Sequence, residues 1–187
     1  MRYIKDEEFL RGKCPMTKEE IRILSIAKME LEENSCVLDV GAGTGSVTIQ
    51  AAKICSKGSV IGIEKDQDAI NTIKANIEKF QVKNLTLMEG SAGEKLKEIN
   101  TEFDSVFIGG SSGELEFIIE ESYKKLKTGG TMVLNFITIN NLYKAMEKLK
   151  SMGMKAQCSE IAVSKTKENT YMLLALNPIF IVKAVKL

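Results

Sequence analysis

A chain of 187 residues, 44% hydrophobic and 27% charged, is long enough for one sizeable core and too short for two comfortable domains, so a single domain over 1–187 is expected. Lys and Arg total 26 against 25 Asp and Glu, a balance that leaves no overall field to draw the protein onto nucleic acid or an anionic membrane. Histidine is absent, which excludes a Ser-His-Asp triad, a Cys-His pair and histidine metal ligation together. The cysteines, Cys14, Cys36, Cys55 and Cys158, lie far apart and read as reduced thiols rather than a disulfide frame or a zinc site. No bound metal and a cytoplasmic location are therefore expected. Residues 1–10 are rich in charge and no apolar run approaches a membrane span, so neither a signal peptide nor an anchor is expected.

In chain order, Thr17 followed three residues later by Glu20 predicts a capped helix start, and Ile21, Leu24, Ala27 and Leu31 carry helical spacing to about residue 33. A short strand then runs into a glycine turn, and a helix is expected over 44–56. Strand 60–64, helix 66–80 capped by Asp66, strand 85–88 and a brief helix at 91–99 come next. Strand 103–108 ends at Gly109-Gly110, helix 114–127 follows, and a turn at Thr128-Gly129-Gly130 leads to strand 131–137 and helix 140–151. Such alternation predicts an α/β fold, a Rossmann-like, mostly parallel sheet with helices on both faces. The tail departs from it. Segments 155–163 and 179–185 read as strands without a crossover helix between them, hence an antiparallel pair at the sheet edge with an antiparallel C-terminal strand. Residues 171–176 fit a strand or a short helix equally.

The segment Cys36-Val37-Leu38-Asp39-Val40-Gly41-Ala42-Gly43-Thr44-Gly45 is the layout of a nucleotide-type cofactor site. An apolar strand closes on an acid and enters a turn whose glycines permit sharp bends and close backbone approach. Its G-x-G-x-G spacing places Ser46 where a dinucleotide fingerprint wants its third glycine. The tighter spacing resembles motif I of class I S-adenosylmethionine-dependent methyltransferases, Asp39 included. Glu64, closing the next strand, can accept hydrogen bonds from both ribose hydroxyls. Ser91 and Ala92, in Glu89-Gly90-Ser91-Ala92-Gly93, stand where that class holds adenine. Asp39 equally fits a local cap for backbone N–H groups.

Three further segments, Cys14 to Arg22, Val106 to Gly113 and Asn177 to Phe180, occur in an order that resembles the CbiT family, the decarboxylating cobalt-precorrin-6B methyltransferases of anaerobic cobalamin biosynthesis. The resemblance runs from Cys14 through Phe180. It implies methylation of carbon 15 of a cobalt-precorrin with loss of the ring C acetate as carbon dioxide, S-adenosylmethionine as donor, a cofactor contact by Thr17 near the methionine end, and a homotetramer. Small residues at the carboxyl end of the fourth strand leave room for a flat macrocycle, so Gly109, Gly110 and Ser111 are candidate substrate contacts, with Asn135 at the end of the fifth strand. Arg11 and Lys13, or Lys165 and Lys167, could form a cationic rim for the carboxylates of such a substrate. No side chain presents itself as the catalytic acid or base. The competing readings are a transfer-RNA methyltransferase, which the neutral charge disfavours, and a non-catalytic nucleotide-binding subunit.

Overall fold

The computed structural model describes residues 2–110, 113–167 and 169–187. Its centre is a seven-stranded sheet built from β1 (Cys36–Val40), β2 (Ser59–Glu64), β3 (Leu85–Glu89), β4 (Phe103–Ile108), β5 (Leu126–Phe136), β6 (Lys155–Ile161) and β9 (Ile179–Val185), in the order β3-β2-β1-β4-β5-β9-β6. The first five strands are parallel; β9 runs antiparallel to both β5 and β6. The central strands are mostly apolar because both of their faces are covered. Val37, Leu38, Val40, Val106, Val133 and Leu134 are fully buried. One core packs α1 (Glu19–Met29) and α2 (Ser46–Ile54) against the sheet, and the other packs α4 (Ala92–Glu98), α5 (Leu115–Lys125) and α6 (Ile139–Ser151) on the opposite face. Among the described residues no helix is long and apolar enough to cross a membrane.

Parallel pairing needs crossovers, and strand order reverses direction between β1 and β4. In such sheets the crevice at the carboxyl ends of those two strands is where ligands bind. Register puts Val40 beside both Ile63 and Ile108, so the turn after β1 meets the ends of β2 and β4 at one level.

Several local expectations need correction. The cap of α1 is Lys18, whose side chain makes no cap bond; Thr17 instead offers its carbonyl to Arg22 Nη1 at 2.8 Å. The helix stops at Met29 rather than near residue 33, because Glu30 adopts a left-handed conformation with φ of 53°. What reads as a free turn at residues 128–130 is an irregularity inside β5. Leu126 already pairs with Phe103 and Thr131 with Ser105, and Gly129, at φ of 80°, donates to Lys186 O. Residues 171–176 resolve as strand: β8 (Leu173–Ala175) pairs with β7 (Ser164–Thr166) in a separate two-stranded ribbon. By contrast Asp66 caps α3 (Gln67–Lys79) as expected, accepting from Ala69 N at 2.9 Å.

The segment ahead of α1 has little regular structure, yet buried side chains fasten it. Arg22, fully buried, pairs with Asp6, donates to Ile4 O and Thr17 O, and lies 4.9 Å from the Phe9 ring centre. Asn76 of α3, also fully buried, accepts from Leu10 N at 2.8 Å and donates to both Leu10 O and Thr44 O at 3.0 Å. One amide thus ties the N-terminal segment to the glycine turn.

Candidate active site

All three glycines of the turn are left-handed, Gly41 at φ of 78°, Gly43 at 57° and Gly45 at 80°, a region that L side chains enter only with strain. They serve different ends. A Cβ on Gly41 would lie 2.7 Å from Gly110 N, so glycine there lets the turns after β1 and β4 touch. A Cβ on Gly45 would strike Ile73 at 2.4 Å; this glycine makes room for α3 and lines none of the cavities described below. The turn is stitched to β2 by Gly41 N and Ala42 N, both donating to Ile63 O at 3.0 Å.

Glu64 completes the stitching. Its Oε2 accepts from Gly43 N at 2.8 Å, and its Oε1 from Lys65 N at 2.7 Å and Asp66 N at 2.9 Å. An ionised carboxylate has about four acceptor positions. Engaging two ribose hydroxyls at once would therefore require one main-chain bond to give way.

Two cavities flank the contact between Gly41 and Gly110, and both glycines line both. The smaller, about 100 Å³, also has Glu64, Lys65, Gly90 and Ala92 in its wall. Ser91 is not in that wall; its Oγ accepts from Glu94 N and donates to Glu94 Oε2, capping α4. The larger, about 370 Å³, is lined by Pro15, Met16, Thr17 and Lys18 from the N-terminal segment, Ala42, Gly43 and Thr44 from the turn, Gly109 after β4, and Asn135 and Ile137 from the end of β5. Lys18 is its one titratable side chain among the described residues. Ser111 lies outside the described residues.

Two buried oxygens near the turn have no partner among the described residues: Thr44 Oγ1, in the wall of the larger cavity, and Asp39 Oδ1. Asp39 is 1% exposed, and its other oxygen accepts from Thr48 Oγ1 at 2.5 Å. Burial raises its carboxyl to about 7, with the Thr48 bond opposing the rise and the charge of Glu64 adding to it. Asp39 lines neither cavity, so its contact is with the helix behind the turn. Asn135 is oriented from below: its Nδ2 donates at 2.9 Å to the buried Ser25 Oγ. Ser25 Oγ lies 2.8 Å from Ile21 O and 3.2 Å from Asn135 Oδ1, the two acceptors in reach of its single proton.

Residues that motif reasoning passed over are Asn76, Ser25 and Asn141, the last also lining the larger cavity. A signal existed for Asn76. It follows Ile70 and Ile73 at helical spacing on the buried stripe of α3, and an amide on such a stripe needs a purpose. Of the cationic candidates, Arg11 and Lys165 line a third cavity next to the larger one, whereas Lys13 and Lys167 do not.

The sheet order, the turn at the strand switch point and the acid closing β2 together define a class I methyltransferase. The particular family follows from comparison over the whole chain. The model of the precorrin methyltransferase domain matches residues 8–181, and the chain belongs to that family. A protein of Sulfurisphaera tokodaii named as a probable cobalt-precorrin-6B C(15)-methyltransferase (decarboxylating) is 44% identical over 96% of this chain and 95% of its own. A crystal structure of precorrin-6y C5,15-methyltransferase from Geobacter metallireducens superposes with a TM-score of 0.94, at 36% identity, over 99% of this chain and 97% of that one. That of the Methanobacterium thermoautotrophicum precorrin 8W decarboxylase gives 0.89 at 33% identity, over 97% and 98%. The resemblance read from the sequence motifs is thereby borne out, and membership of a methyltransferase family implies S-adenosylmethionine as the methyl donor.

Proposed function

We propose that the chain is the decarboxylating methyltransferase of anaerobic cobalamin biosynthesis, converting cobalt-precorrin-6B to cobalt-precorrin-7 by methylating carbon 15 and releasing the ring C acetate as carbon dioxide. The observation that carries the reading is the larger cavity: main chain, apolar groups, hydroxyls and amides line it, with no carboxylate and only Lys18 to titrate among the described residues. Such a wall suits a reaction in which the ligands supply the electronics.

The residues present fit S-adenosylmethionine. Glu64 and Ala92 in the smaller cavity would hold its nucleoside, and Thr17, Gly43 and Thr44 in the larger its amino-acid end. Bound there, it supplies an electrophilic methyl group. Gly41 and Gly110 let the turns after β1 and β4 meet between the two cavities, and Gly45 and Asp39 support the turn from behind. The N-terminal segment covers the site and excludes water, while Gly109, Gly110 and Asn135 position the acceptor carbon. Ile137 and Ile139, each 73% exposed on the end of β5 and the start of α6, offer an apolar shelf to a flat ring. The macrocycle itself takes up the electron pair released as carbon dioxide leaves.

The chain would work as one domain, without nucleic acid or membrane, in the cytoplasm. A homotetramer would cover the apolar ribbon β7–β8, where Tyr171 is wholly exposed and Met172, Leu173 and Leu174 about half so. The test is incubation with cobalt-precorrin-6B and S-adenosylmethionine followed by mass spectrometry. The expected product has gained one methyl group and lost one carbon dioxide. Recovery of unchanged precorrin, or methylation of transfer RNA instead, would overturn the assignment.

A further inference from the structure

The third cavity, about 330 Å³, lies between the N-terminal segment, the start of α1 and the β7–β8 ribbon. Lys18 lines both it and the larger cavity of the active site, so the two meet at that side chain. Its charges are unevenly satisfied. Lys5 lies 3.8 Å from Glu7, Asp6 pairs with the buried Arg22 at 3.0 Å, Lys165 pairs with Glu20 at 2.8 Å, and Glu19 accepts from Asp6 N at 3.3 Å. Arg11 and Lys18 alone in this lining have no ion pair or side-chain hydrogen bond among the described residues. Glu19 is the one carboxylate of the lining without an ion pair among the described residues, so Arg11 and Lys18 together leave the recess with a surplus of positive charge that a ligand could meet.

Space points the same way. A volume of about 370 Å³ suits one modest ligand, and on the reading above it must serve the amino-acid end of the donor and the edge of a macrocycle. The rest of a large acceptor must therefore continue beyond this cavity, and across Lys18 it enters the third one.

We propose that the third cavity is a carboxylate subsite. Resting on the proposed function, it assigns Arg11 and Lys18 to the acetate or propionate arms of the tetrapyrrole, while the reacting carbon lies over Gly109 and Gly110. The Arg11 guanidinium can grip a carboxylate through two parallel N–H bonds, and Lys18, at the junction, takes a second arm as a point charge. Lys165, already neutralised by Glu20, contributes less. The subsite would select a polycarboxylate acceptor over an esterified or neutral one.

The experiment is steady-state kinetics with cobalt-precorrin-6B on Arg11→Glu, Lys18→Ala and Lys83→Glu, with S-adenosylhomocysteine titrated into each. Arg11 and Lys83 are both exposed, so neither reversal should disturb folding, and Lys83 lines none of the cavities. Arg11→Glu should raise KM roughly tenfold at low salt with little change in kcat or in S-adenosylhomocysteine affinity, the effect shrinking as salt is added. Lys18→Ala should raise KM in the same direction, and Lys83→Glu should leave it alone. Unchanged KM in both Arg11→Glu and Lys18→Ala overturns the subsite. An equal rise in Lys83→Glu also overturns it, since only net charge would then be at work. If the unaltered protein methylates no cobalt-precorrin, the parent reading fails first and the subsite with it.

Discussion

The two cavities that meet at Gly41 and Gly110 are built by different means. The wall of the smaller is fixed by main chain: Glu64 is held by three backbone N–H groups, one from the glycine turn after β1 and two from the residues that follow Glu64 itself. The wall of the larger is fixed by side chains from distant elements. Asn135 depends on Ser25, 110 residues away, and the covering segment on Asn76 and Arg22. Local main-chain anchoring gives a preformed grip that few substitutions can tune. Remote side-chain anchoring gives a surface that adapts, and it is the donor side that is common to all methyl acceptors.

The contrast breaks most sharply at Glu64. Glu64→Ala strips three main-chain donors of their acceptor, and S-adenosylhomocysteine affinity measured by calorimetry should fall about a hundredfold. Affinity within threefold of the parent would mean that the turn keeps its shape unaided. Next in size, Asn76→Leu takes their amide partner from the part-buried Leu10 N–H and C=O and from the buried Thr44 carbonyl. Chemical denaturation should show a loss of about 3 kcal/mol, with weakened donor binding because Thr44 is released as well.

Asp39 gives a pH signature. Its native carboxyl, raised to about 7, holds a proton more tightly than the unfolded chain, so stability from this group is complete below the ordinary value of 3.8 and declines as pH climbs through 7. Asp39→Asn should remove that decline, gaining on the parent by about 4 kcal/mol between pH 4 and pH 8 in thermal or urea unfolding. Identical pH profiles would show that the buried oxygen is solvated. Ser25→Ala sharpens the other half of the comparison. KM for the precorrin should rise about fivefold with donor affinity unaltered; a change in donor affinity instead would assign Asn135 to the donor side. The smallest effect belongs to Glu30→Ala, which removes a partly exposed ion pair with Lys183 far from both cavities; its cost should stay below about 0.5 kcal/mol and its kinetics at the parent's level.

How much of this was legible beforehand follows the same division. Strands 103–108 and 179–185 read true to the residue because β-branched and aromatic runs are bounded by polar or glycine signals. The glycine turn and Glu64 were readable because a local motif forms a local structure. Ser25 and Asn76 were not, since their partners lie far away in sequence and no short pattern records them. Thr17 misled for a related reason: its spacing to Glu20 fits a capping box, but the helix begins one residue later, with Lys18 extended at ψ of 152°. The third cavity was half legible. Arg11 and Lys165 could be named as cations, but only the fold shows that Glu20 neutralises one and leaves the other free.

The fastening of the N-terminal segment has a consequence for the order of assembly. Ile4 N finds its acceptor on Gln50 and Leu10 N on Asn76, partners translated 46 and 66 residues later. Contacts of that span close only after the intervening chain has collapsed, because loop closure must be met before they form. The segment that covers the cavity is thus made before the groups that fasten it, and it stays undocked until Gln50 and Asn76 are in place.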